Sequence, residues 1–126
     1  MLKNCNLLKN RFDVESATKL AKIGAEKGIM LSGITRDQTA ANLSLQNLQP
    51  ADAILIASDL KFMAVLSNLN LYDNNIGDDG AKAIAEALKV NPVLTKLKLE
   101  ANTLGDAGKK AVREAVKDRS DFELGL

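Results

Sequence analysis

LSNLNLYDNNIGDDGAKAIAEALKVNPV (residues 66–93) runs directly into LTKLKLEANTLGDAGKKAVREAVKDRSD (residues 94–121), and the two are one segment written twice. Leu69, Leu71, Asn74, Ile76, Gly77, Gly80, Ile84 and Leu88 recur 28 positions later as Leu97, Leu99, Asn102, Leu104, Gly105, Gly108, Val112 and Val116. A fixed period of this size marks stacked supersecondary units, each of which buries its apolar face only against its neighbours. The architecture is therefore a repeat array.

Each unit has two halves. LSNLNL and LTKLKL set leucine at alternating positions, the pattern of a short strand with one buried face. Asn74 and Asn102 follow, where a turning backbone leaves groups unpaired. An amide that both donates and accepts can satisfy successive turns. Asp78 and Asp106 stand ahead of the helical stretches as N-cap candidates. The helices read DGAKAIAEALKV and AGKKAVREAVKD, with Ala83, Ile84, Ala87 and Leu88 matched by Ala111, Val112, Ala115 and Val116 on one stripe. Asn91–Pro92 ends the first of them and returns the chain to the next strand.

The pattern LxxLxLxxNxIGxxGAxAIAxAL resembles the ribonuclease-inhibitor-like class of leucine-rich repeats, also found in NOD-like receptors and Ran GTPase-activating proteins. The likeness covers residues 66–121. It implies an α/β fold: a short right-handed solenoid with parallel strands on the concave face and helices on the convex face. Ribonuclease inhibitor alternates Asn with Cys at the turn, whereas both units here carry Asn. The resemblance is thus to the repeat class, and inhibition of ribonucleases does not carry over. No motif maps the activity of the GTPase-activating proteins onto residues of this chain.

Outside the two clear units the pattern weakens. ANLSLQNLQPADAILIASDLKFMAV (residues 41–65) aligns when Leu43, Leu45, Ile56 and Leu60 are set on Leu69, Leu71, Ile84 and Leu88, which makes its turn two residues shorter. Pro50 suits the first turn of its helix. FDVESATKLAKIGAEKGIML predicts a capped helix over 14–27 stopped by Gly28, with a short strand at 29–31. Residues 35–39 read as a loop. DFELGL starts like another strand, with Phe122, Leu124 and Leu126 on one side. The expected organisation is a single domain, 1–126: a divergent N-terminal cap (1–38), an irregular repeat (39–65), two repeats (66–93, 94–121) and a closing strand (122–126).

Composition narrows the function. The 126 residues carry 17 basic and 16 acidic side chains, so no strong global field draws the chain to nucleic acid or an anionic membrane. Cys5 is the single cysteine, which fits a reducing, cytoplasmic setting. No apolar run approaches the ~18 residues a membrane helix needs, and no secretory h-region is visible. With no histidine, the usual general base near neutral pH is missing, and no nucleophile elbow, phosphate loop or zinc motif is present. IGDDG and LGDAG look like phosphate loops, yet they recur at the repeat period and read as strand-to-helix turns. Asp73, Asp78 and Asp79 are too few for a calcium loop. An enzyme is not expected, and no cofactor or metal is implied.

In LxxLxL the leucines enter the core and the residues between them face the concave side. The expected ladders are Ser44, Asn70, Lys98 and Gln46, Tyr72, Glu100, flanked by Asn68 and Lys96, with Asp73 just beyond. Tyr72, the only tyrosine, joins a large rigid area to a polar tip, which suits an interface anchor as well as an ordinary exposed strand position. The helical side, with Lys82, Glu86, Lys89, Lys109, Lys110, Arg113, Glu114, Lys117 and Arg119, reads as a solvated face. The expected function is non-catalytic recognition of a protein partner through Asn68, Asn70, Tyr72, Asp73, Lys96, Lys98 and Glu100. Two alternatives stand beside it: a structural unit that forms a homo-dimer through exposed solenoid ends, and the end of a longer array.

Overall fold

In the computed structural model, which describes residues 2–126, four helices alternate with four short strands. They are α1 (Val14–Lys27), β1 (Ala40–Asn42), α2 (Pro50–Leu60), β2 (Asn68–Asn70), α3 (Gly77–Val90), β3 (Lys96–Lys98), α4 (Asp106–Val116) and β4 (Glu123–Gly125). The strands form one parallel sheet in the order β1-β2-β3-β4, and the helices pack in chain order on the other layer. This is an α/β solenoid. Between the layers lies a core of leucine and isoleucine: Leu66, Leu69, Leu71, Ile76, Ile84, Leu94 and Leu97 are fully buried.

The helix limits follow from local chemistry. Asp13 accepts from Ser16 N at 2.7 Å to start α1, and Gly28 stops it in the left-handed region at φ 68°. Pro50 opens α2, where Gln49 N donates to Asp52 Oδ2 at 2.8 Å. Asp78 and Asp106 do not cap their own helices, against expectation: both lie inside the first turn. Asp78 instead reaches sideways, and its Oδ1 accepts from Gly105 N at 2.7 Å and Gly108 N at 3.1 Å, at the start of α4. A carboxylate there satisfies orphan N–H groups and meets the positive end of the next helix.

Asn74 and Asn102 behave as the turn chemistry requires. Asn74 Oδ1 accepts from Gln46 N and Leu48 N at 3.0 Å each, and its Nδ2 donates to Leu43 O and Leu71 O. One repeat on, Asn102 donates to Leu71 O and Leu99 O and accepts from Ile76 N. A second buried ladder runs along the opposite turns. Asn91 Nδ2 donates to Leu60 O at 2.7 Å, and its Oδ1 accepts from Val93 N and Leu94 N. Arg119, expected on the solvated face, is half-buried. It takes Asn91's place one period later, donating to Leu88 O, Asn91 O and Leu94 O while its guanidinium lies 4.9 Å from the Phe122 ring centroid.

The first repeat corrects the sequence alignment. Ala41, not Leu43, pairs with Leu69, and Ala40 and Asn42 pair with Asn68 and Asn70. Its turn is therefore full length, and Leu43, Leu48, Ile56 and Leu60 stand one period before Leu71, Ile76, Ile84 and Leu88. Leu45 leaves the core altogether, 69% exposed at φ 58°. The core position it was expected to fill is held by Leu43, and the small Ala41 at the position of Leu69 shares its apolar cluster with Met30 and Ile34 of the cap. The strand expected at 29–31 is reduced to a single parallel bridge between Asn4 and Met30.

The cap is fastened by Asp59, at the end of α2. Its buried carboxylate accepts from Leu31 N at 2.8 Å, Ser32 N at 2.7 Å and Ser32 Oγ. Burial pushes this carboxyl above its usual range, against the pull of hydrogen bonds from Ser32 and Leu31.

Candidate functional site

Parallel registration sets two ladders of concave side chains: Ala40–Asn68–Lys96–Glu123 and Asn42–Asn70–Lys98–Gly125. The expected ladder partner Ser44 is thus replaced by Asn42. Ser44, in turn, replaces Gln46 beside Tyr72, since Leu45 N donates to Tyr72 O just beyond β1 and β2. Both corrections follow from the two-residue shift in the first repeat.

Four of the seven expected residues meet. Asn68, Asn70, Lys96 and Lys98, with Ala40, Ala41 and Asn42, line one concave depression of about 280 Å³. Leucines buried behind the strands hold these side chains outward, and the small Ala40 leaves one end open. Lys96 Nζ lies 3.6 Å from Glu123 Oε2, an ion pair the sequence pattern does not reveal because β4 reads there only as a closing strand. Lys98 has no ion-pair partner among the described residues. Asn70 Oδ1 accepts from Tyr72 N at 2.9 Å, which leaves its NH2 group for a ligand.

Tyr72, Asp73 and Glu100 stand outside the depression. Tyr72 is 44% exposed, past the end of β2. Asp73 is left-handed at φ 53°, and Leu45 and Ala101 repeat that conformation one period away. Short acidic side chains tolerate this region, so a turn accounts for Asp73. Glu100 turns towards the end of the array: its carboxylate packs on Gly125, where an added Cβ would come within 2.6 Å of Oε1. Among the described residues, Glu100 Oε1 is buried without a hydrogen-bond partner.

The remaining geometry offers little chemistry. A cleft of about 690 Å³ separates the cap loop of Lys9, Arg11 and Phe12 from the start of α2. The helix starts that border it already hold Asp13 and Asp52, and Asp52 Oδ1 also accepts from Lys9 N. Among the described residues, no three His, Cys, Asp or Glu side chains cluster to hold a metal ion, and no helix is long and apolar enough to cross a membrane.

Stacked strand–turn–helix units with a shared asparagine ladder define a solenoid repeat protein. The comparison with protein families agrees: a leucine-rich repeat model matches residues 64–85 and 90–112. The chain therefore carries two leucine-rich repeats, the unit of a family that generally mediates protein–protein interaction. No curated protein matches the chain at a significant level.

Proposed function

We propose that this chain is a non-catalytic recognition module whose concave strand face engages a protein partner. Asn68, Asn70, Lys96 and Lys98 form the floor, and Tyr72, Asp73 and Glu100 the flank. The observation that carries the reading is the depression itself. Two adjacent strands hold amide and ammonium groups outward around one hollow. Such a surface suits a partner loop that presents carboxylates and backbone carbonyls. The lone Cys5 supports a reducing, cytoplasmic setting. The strand–turn–helix period supports the ribonuclease-inhibitor-like class of repeat, and the near-neutral charge weighs against nucleic acid.

The test is affinity capture with wild type beside Tyr72→Ala and Lys98→Glu. Both variants are expected to keep their melting temperatures and to lose the same captured protein. Retention of every partner by both would place the recognition surface elsewhere.

A further inference from the structure

We propose that the open end of the array, between the outer edge of β4 and the outward flank of α4, docks an extended, acidic segment of a partner protein as an added parallel strand.

Among the described residues the outer edge of β4 is unpaired. Glu123 N donates to Thr95 O and Leu99 N donates to Gly125 O, each at 2.8 Å, so residues 123 and 125 direct their polar backbone groups at β3. Strand alternation then turns the N–H and C=O of Leu124, and the N–H of Leu126, away from β3. Among the described residues no strand lies beyond β4. An unpaired edge is a template for another chain.

The helix layer refuses what the sheet edge accepts. At the α2–α3 contact Ala53 lies against Gly80, and at α3–α4 Ala81 lies against Gly108, so each helix rests on the next through small residues. Ala57 and Ala85, one turn on, are buried as well. One period later these positions are Lys109 and Arg113. Another helix packed in the same way would bury two cations, so a whole further repeat does not fit. A strand alone does, and its acidic residues would meet those cations.

A cleft marks where that strand would emerge. It measures about 250 Å³ and is lined by Glu100, Thr103, Leu104, Lys109 and Leu126 among others. Leu104 and Leu126 are only half-buried, unlike their core counterparts Ile76 and Leu99. Glu100 stands in its wall, with Oε1 turned in against Gly125. Asp106 occupies the place of Asp78, whose carboxylate holds the backbone of the following unit. A second copy is the weaker occupant, because pairing two β4 edges about a two-fold axis sets Lys109 and Arg113 of both copies face to face.

The test uses a fluorescent synthetic peptide of alternating valine and threonine that ends in two glutamates, and a matched peptide that ends in two lysines. Anisotropy is expected to show saturable binding of the glutamate peptide to wild type, with slowed amide exchange at Leu124 and Leu126. Lys109→Glu/Arg113→Glu should reverse the preference between the peptides by roughly tenfold or more. Lys98→Glu should leave it unchanged, which separates this site from the concave face. Absence of saturable binding, equal binding of both peptides, or protection on β1 would overturn the proposal. So would a dimer whose β4 amides are protected without peptide.

Discussion

Asn74 shows how much one side chain can hold. Its amide joins two turns through bonds to Gln46, Leu48, Leu43 and Leu71, all at the wall of the core. Asn74→Ala orphans Gln46 N, Leu48 N and Leu43 O at once, while Leu71 O keeps its bond from Asn102, and is expected to cost about 2–3 kcal/mol, read as a lower urea midpoint with an unchanged slope. This role was legible in the sequence, because an amide that recurs at a turn stands where turning backbone needs both a donor and an acceptor. Asp78 was not legible: nothing in IGDDG says that its carboxylate serves the next helix. Asp59 was hidden for a similar reason, since its partners Leu31 and Ser32 lie across the cap junction. Its carboxyl is raised above the ordinary value of 3.8 by burial, so the folded chain binds that proton more tightly than the unfolded chain. Its titration therefore favours folding fully below the unfolded value, and that contribution fades as pH rises through the folded value. Asp59→Asn removes the effect. The stability of wild type minus that of Asp59→Asn should fall as pH rises from acid towards neutrality, and a difference that rises with pH would refute this account.

At the scale of elements, the strands are three residues long and owe their place to register. Helix positions were legible from apolar spacing, down to the Gly28 stop. Strand β1 was misread by two residues because leucine was matched to leucine, while the core position belongs to Ala41 beside side chains of the cap. The helix flanks hold a second lesson. Ala85 and Arg113 differ between otherwise matching repeats, and comparison of the two segments for common apolar residues passes over that position. The difference separates a buried helix contact from an outward end. Ala85→Arg should therefore destabilise by about 3 kcal/mol or more, through overpacking and a buried cation. Arg113→Ala at the same repeat position should change stability by no more than about 0.5 kcal/mol. Thermal melts of the pair compare the two flanks directly, and similar losses would show that α4 is packed on both sides.

Across the whole molecule, a main apolar core runs from Met30 in the cap to Val116 in α4, and a smaller one of Ala17, Leu31, Ala51 and Leu55 seats α1 on α2. The two ends close the main core differently. The cap supplies α1 and the Asp59 clasp, while the far end relies on Arg119 bound to three carbonyls and on Phe122, Leu124 and Leu126 packed against the core. The concave face lies between them. Four of the expected site residues meet in its depression because the strand alternation that reveals the leucines also reveals what stands between them. Glu100 diverges because the sequence pattern does not say that Gly125 would leave it room. The central claim is that the array completes its own core and leaves its surfaces to other proteins. Light scattering over a concentration series, followed in parallel by circular dichroism, tests it most directly. The account predicts the 13.5 kDa mass of one chain throughout, with full helical signal at the lowest concentration. A dimer that loses helical signal as it dissociates would contradict it, because association would then be what completes the core.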